Sequence, residues 1–434
     1  MKAVGQLAKI FLITLLILTG LLIMAWLIPE TMVYDHAKEG IKLLKENEEA
    51  WEEHFTYAWG AKLDNTTDLI MLDRAVSTAD KSKSIFYKAF YCNDYARYWH
   101  GYLIILRPLL SVMSYMQIRY LYMAIHMIAF VAIALKIEKR FDRKMMWGWV
   151  VSMIAVNFVA LPFSLQYSWV FFIMYGVLCY IDRCYGKNRR IDSVSAASIF
   201  LVTGMLTSFI DLLTAPLLTL GIPLLYFLMI RIRLEKEVSC KRNIVMMTAL
   251  SASWAAGYIG CWAMKWILAI PILKENLIAE AVMRIGVQTK GSVELGASGG
   301  ENVSSSLFKA LAYNVYALLP PGLTHEIELD IWMPFFVVIF ICIVILAILF
   351  VRFHESTDKL ISYIPIGILM LYPYLWYAVT TRHAQVHPMF TYRDQIITVM
   401  GGWIIISQCI RWSEIRKKRG QWSNEEDKYN DSLL

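Results

Sequence analysis

Long apolar runs alternate along the chain with polar segments of very unequal length. Runs approaching twenty residues, the number a helix needs to cross a hydrocarbon core, fall at residues 10–28, 117–135, 145–162, 167–181, 193–210, 213–230, 244–271, 331–351, 360–378 and 395–410. The expected fold is all-α, a polytopic transmembrane helical bundle of about ten spans. Barrel strands would give short alternating segments instead. Residues 1–30 read as an uncleaved signal-anchor helix, because Trp26-Leu27-Ile28-Pro29-Glu30 lacks a small-residue cleavage site. The rest divides into a first extracytoplasmic loop (31–115), spans two to seven (116–271), a second loop (272–330), spans eight to ten (331–411) and a cytosolic tail (412–434).

The first loop is too long for a connector and is expected to fold. Within 36–55, Ile41, Leu44, Trp51 and Phe55 fall near helical spacing among acidic residues, which fits a helix lying on the membrane surface or a solvated acidic helix. A second such helix is expected over 99–115, broken at Arg107-Pro108.

Charge orients the bundle. Lys136, Lys139, Arg140, Arg143 and Lys144, then Arg183 to Arg190, then Arg231 to Arg242, occupy alternate short loops, and Arg411 to Arg419 occupy the tail. Residues 29–100 carry nine Lys/Arg against thirteen Asp/Glu, and 272–330 four against seven. By the positive-inside rule both termini are cytoplasmic and the two long acidic loops face outward, in a multi-pass plasma-membrane protein. The turn at 352–359, where Arg352 and Lys359 are offset by Glu355 and Asp358, leaves the span count open by two.

Composition narrows the function classes. Of 434 residues, 58% are hydrophobic and only 18% charged, which excludes an ordinary soluble enzyme. The net charge of +7 is spread over loops, so no nucleic-acid partner is expected. Seven cysteines without CxxC spacing imply no disulfide framework. Walker A, GxGxxG, HExxH and GxSxG motifs are all missing.

What remains is a set of ionisable residues at the outer side of the membrane, where charge is costly and usually employed. Asp64 and Asp68, in Asp64-Asn65-Thr66-Thr67-Asp68, are candidate general bases, with helix capping the structural alternative for Asp64. Tyr98, Trp99 and His100 offer rings to a sugar face or form an interfacial belt, and Arg107 is a candidate for an anionic lipid headgroup. Asp211 lies between two apolar runs with no Lys or Arg near it in sequence, and is a candidate for a site or for a buried ion pair. Gln166 and Tyr167 are weaker candidates on the same side. Arg382, His383, His387 and Arg393 form a short basic stretch suited to gripping a phosphate. His383 and His387 also have a metal-ligand spacing, but no third ligand is evident, so no metal site is assigned.

Residues 64–75 and the aromatic, Pro-containing approach at 98–119, after an N-terminal membrane helix, resemble the GT-C superfamily of membrane glycosyltransferases. Residues 163–168 and 211–220 are similar to membrane proteins of Gram-positive bacteria. The acidic stretch lies more than thirty residues past the first span, whereas many members keep an acid directly after it, which makes Glu30 and Asp35 rivals for the base. The resemblance implies transfer of a sugar from a polyprenyl-phosphate donor to a glycan or envelope-polymer acceptor on the extracytoplasmic face, without nucleotide. Asp64 or Asp68 would deprotonate the acceptor, the 382–393 stretch would stabilise the departing lipid phosphate, and Asp211 would orient a sugar hydroxyl or hold a divalent cation. Arg284 and Lys290 would belong to a lid or a spacer. The competing classes are a transporter or flippase of a lipid-linked saccharide and a non-enzymatic envelope-assembly protein.

Overall fold

A computed structural model describes residues 2–46, 63, 65–77, 82–93, 96–186, 191–275, 277–278, 306–318, 342 and 356–410. Helices dominate, and no strand occurs among the described residues. Among the described residues, six helices are long and apolar enough to cross a membrane: Lys2–Leu27, Tyr115–Arg140, Leu165–Gly186, Ser193–Ile210, Cys240–Leu273 and the bent pair within Thr357–Val379. The chain is a membrane-embedded helical protein.

Helix α1 (Lys2–Leu27) stops where Ile28-Pro29 disfavours helical backbone. α2 (Glu30–Glu46) follows at once and buries Val33, Ala37, Gly40 and Leu44, an i, i+4, i+7, i+11 stripe. That stripe packs on α3 (Asn65–Arg74) and on Tyr115, not on a membrane surface; residues 47–55 lie outside the described set. Gly40 permits the approach, since a Cβ there would sit 2.8 Å from Tyr115 Cβ and 2.9 Å from Leu72.

After α4 (Ile85–Tyr91), α5 (Leu103–Leu110) carries Pro108 inside it. The break expected at Arg107-Pro108 falls instead at 111–114, where Ser114 and Gln117 form a capping box that starts α6 (Tyr115–Arg140).

α6 and α8 (Leu165–Gly186) run parallel. Arg140 and Lys136, at the end of α6, reach Asp182 near the end of α8, while Asp68 joins Tyr115 and Leu165 at their starts. The chain therefore returns between them through α7 (Arg143–Ala155) and a 3-10 turn, Phe158–Phe163. In the same way α9 (Ser193–Ile210) and α11 (Cys240–Leu273) are parallel, and α10 (Leu218–Met229), with a π turn at Ile230–Leu234, provides the return.

Among the described residues, six such helices stand against the ten or so spans expected from the sequence. The runs at 145–162, 213–230 and 395–410 contain helices of only 13, 12 and 14 residues, the last being Ile396–Cys409, all shorter than the roughly 20 needed to cross unaided. All twelve residues of α10 are buried, so protein rather than lipid surrounds it and its apolar run reflects a core position. Apart from Cys342, the run at 331–351 lies outside the described residues, as do Arg284, Lys290, most of the 272–330 loop and the 412–434 tail.

The tightest contact joins α9 and α11. A Cβ on Gly204 would lie 2.0 Å from the Trp254 carbonyl oxygen, and one on Gly257 2.1 Å from that of Leu201. Small residues let the two backbones touch, as helices in lipid often require. Gly257→Val should therefore force the helices apart at a cost of about 1–3 kcal/mol or more. An SDS-titration unfolding curve checks this, and an unchanged midpoint would contradict the packing.

Candidate functional site

The helical connections sort the polar residues into two ends of the bundle. One end holds Arg140, Asp142, Asp182, Arg233 and Glu237 in ion pairs. The other holds Asp68, Asp211, His383 and Asp394, and there the chain between α9 and α10, residues 211–217, makes an irregular turn.

Asp68 is fully buried. Its Oδ1 accepts from Ser164 Oγ (3.2 Å) and the Gln166 N–H (3.2 Å), and its Oδ2 from Tyr115 Oη (2.7 Å) and the Leu165 N–H (2.9 Å). Two of these donors are first-turn amides of α8, so Asp68 caps that helix from a distant part of the chain. Burial lifts its carboxyl to about 6, against the opposing pull of the Leu165 N–H, the Tyr115 hydroxyl and the nearby Arg119. With both oxygens engaged by four donors, Asp68 is placed as a cap rather than as the general base the sequence suggested. Asp64, the other candidate base, lies outside the described residues.

Gln166 continues from Asp68 to the turn, donating from Nε2 to Thr214 Oγ1 at 2.9 Å. Asp211 caps its own turn by accepting the Thr214 N–H at 2.9 Å. Leu213 takes φ = +69°, a left-handed conformation costly for a branched side chain, and its carbonyl accepts from His383 Nε2 at 2.8 Å. Asp394 accepts the Leu218 N–H at 3.0 Å and so caps α10 as Asp68 caps α8. Four side chains, from α8, the turn itself, helix Thr381–Val386 and the 3-10 turn Tyr392–Gln395, thus grip residues 211–218.

Each of the four also has a second polar atom that is buried without a hydrogen-bond partner: Gln166 Oε1, Asp211 Oδ1, His383 Nδ1 and Asp394 Oδ2. Because His383 Nε2 donates to a carbonyl, its Nδ1 is an acceptor. Burial pushes His383 down to about 3, and burial together with Arg382 pushes His387 down to about 4, so both imidazoles are neutral at physiological pH. Burial raises Asp211 to about 6 against the Thr214 hydroxyl and N–H, and raises Asp394 well above the usual carboxylate range, with the charge of Asp211 adding to the effect. The turn therefore holds three unpartnered acceptors, Gln166 Oε1, Asp211 Oδ1 and His383 Nδ1, and one donor, the protonated Asp394 Oδ2, a set that matches hydroxyl groups.

Other residues singled out from the sequence serve the scaffold. Arg107 is buried, stacks 4.2 Å over Trp26, and donates to the carbonyls of Ala25 (3.0 Å), Ile28 (2.8 Å) and Ala75. It thus ties down the carboxyl end of α1 rather than meeting a lipid headgroup, and burial lowers it only to about 10, so it stays charged. Trp99 is buried and donates to the Cys261 carbonyl at 2.7 Å, correcting its assignment as an open sugar platform. His100, also buried, has φ = +52° and pairs its Nδ1 with Tyr102 Oη at 3.0 Å. Tyr98 is half-buried beneath Arg97. Gly101 N–H donates to the Phe209 carbonyl at 2.8 Å and fixes this segment beside the turn.

Arg393 is fully buried, donates to the Met389 carbonyl and stacks 4.0 Å from Tyr167. It is thereby corrected from an open phosphate ligand to a packed one. Arg382 is half-buried on the helix that carries His383. His387 stacks on Phe390, 5.0 Å between centroids, and is neutral, so it brings no positive charge to a phosphate. Of the rival bases, Asp35 is exposed and Glu30 is half-buried, 4.0 Å from Lys88. Among the described residues no three His, Cys, Asp or Glu side chains come together as metal ligands would.

Asp394 is the residue the sequence reading left unassigned. It stands immediately before an apolar run, as Asp211 stands beside one, but the adjacent Arg393 offers a partner in sequence that Asp211 lacks and so hides the signal. Comparison with protein-family models, curated proteins and solved structures finds no match.

Proposed function

We propose that the chain is a membrane glycosyltransferase of GT-C type, moving a sugar from a polyprenyl-phosphate donor to an envelope glycan or polymer on the extracytoplasmic face. The observation that carries this reading is the set of unpartnered buried polar atoms around residues 211–218, three acceptors and the Asp394 carboxyl, at the bundle end opposite the basic loops. Sugar hydroxyls are donors in need of such acceptors. Asp211, with one oxygen held by Thr214 and the other buried without a hydrogen-bond partner, has a carboxyl near 6, which suits a general base working near neutral pH. Asp211 thereby takes the role first sought in Asp64 or Asp68. The Asp211 carboxylate would accept the acceptor's hydroxyl proton as the oxygen attacks the anomeric carbon. The lipid phosphate would leave with the donor's bonding electrons, and half-buried Arg382 is the cation best placed in sequence to meet it.

The test uses the full chain in proteoliposomes with a panel of polyprenyl-phosphate sugars and envelope glycan. Asp211→Asn is expected to lower turnover at least 100-fold at unchanged expression. Undiminished transfer by that variant would remove the proposal. The break between α9 and α10, with a carbonyl held by a side chain and a fresh helix start, also resembles the discontinuous helices of transporters. For a flippase, purified protein would translocate lipid-linked saccharide without forming a new glycosidic bond.

A further inference from the structure

At the opposite end of the bundle lies a cleft of about 900 Å³, bounded by the end of α6, the π turn and the segment after it, the start of α11, the start of α13 (Thr357–Leu369, which follows α12, Leu307–Tyr316) and Gln408. Five cationic residues line it, Arg140, Arg233, Lys236, Arg242 and Lys359, against two acids, Glu237 and Asp358. Three of the cations are braced by acids: Arg140 by Asp182 (2.8 Å), Arg233 by Asp142 (2.6 Å) and Arg242 by Glu237 (3.2 Å). Lys236 stands exposed at the lip on left-handed backbone, φ = +57°.

Two helix starts add to this field. The 34-residue α11 begins at the cleft, and so does α13, whose N-cap Ser356 makes no side-chain capping bond. The positive ends of both helices therefore face the same hollow as the cations. The rim is apolar: Leu234, Val238 and Ile361 are 44%, 61% and 43% exposed. A soluble anion has no use for such a rim, whereas a lipid would lay its acyl chains there with its phosphate among the cations.

We infer that this cleft binds the phosphate-ester anion of a membrane lipid headgroup. The inference is independent of the sugar-transfer reading, because it concerns the other end of the bundle and a different ligand. Inorganic phosphate shares the headgroup's chemistry, so the test separates the two sources.

The full chain, purified in detergent, is titrated with dioleoyl-phosphatidylglycerol or dioleoyl-phosphatidylcholine, and lipid retention is read by native mass spectrometry. Phosphatidylglycerol should be retained preferentially, and Lys236→Ala/Lys359→Ala should weaken that retention about twentyfold, a few-fold per lysine. Lys2→Ala/Lys9→Ala, which removes two exposed lysines of the same end outside the cleft, should change it little. Equal retention of the two lipids, or equal losses in the two double variants, would overturn the site. Displacement of phosphatidylglycerol by millimolar inorganic phosphate would overturn the lipid assignment.

Discussion

Asp68→Ala is expected to abolish the folded state rather than a reaction. The substitution strips the acceptor from Tyr115 Oη, Ser164 Oγ and the amides of Leu165 and Gln166 at once, all inside the protein. A buried donor left unsatisfied costs about 1–3 kcal/mol, so four of them cost about 4 kcal/mol or more. That is a large share of the roughly 5–15 kcal/mol that holds a domain together. The loss extends further, because Arg119 loses the nearby negative charge and α8 loses its cap. The expected result is no monodisperse peak on size exclusion, or an SDS-unfolding midpoint far below that of the parent. A stable but inactive Asp68→Ala protein would instead return Asp68 to the role of catalytic base.

Asp211→Asn is expected to behave in the opposite way, with stability gained near pH 7.5. The Asp211 carboxyl is raised in the folded state from 3.8 to about 6, so between those values the folded chain binds more protons than the unfolded one. Stability contributed by this group is therefore fully present below about 4 and is lost as pH climbs through about 6. At pH 7.5 the ionised, buried carboxylate costs about 3 kcal/mol relative to a neutral side chain, taking 1.36 kcal/mol per pH unit. An asparagine keeps the acceptor for the Thr214 N–H without the charge. Unfolding curves at pH 7.5 should thus favour Asp211→Asn, and the advantage should fade as pH falls toward 4. A variant less stable than the parent at pH 7.5 would mean that Asp211 has a charged partner that holds it ionised. A carboxylate retained at such a cost is what a working site requires.

The two aspartates differ in a way the sequence only half reveals. Both are acids expected at the outer side of the membrane, which makes each a candidate. What separates them is how many donors the fold brings: four for Asp68, from residues 47 to 98 positions away, and the local Thr214 turn for Asp211. Long-range donors leave no trace in local sequence. The same holds for Arg107, whose three carbonyl partners lie 32 to 82 residues away.

Helical class, the two-ended charge distribution and the isolation of Asp211 were legible because each is a local or periodic property. Span number was less so. An apolar run records only that its surroundings are apolar, and a twelve-residue helix enclosed by protein, like Leu218–Met229, reads much as a lipid-facing helix does. Arg393 was misread for a related reason: a guanidinium laid on Tyr167 and one waiting for a phosphate look alike in sequence.

Gln166, Asp211, His383 and Asp394, far apart in the chain, all hold the single turn at residues 211–218. Hydrogen–deuterium exchange of the peptide covering that turn tests this, with Gln166→Leu, Asp211→Ala, His383→Phe and Asp394→Ala each compared with the parent. The account predicts faster exchange at the Thr214 and Leu218 amides in all four variants, including the three whose substitution lies 45 or more residues away. Faster exchange only near each substituted residue, with the turn as protected as in the parent, would contradict it.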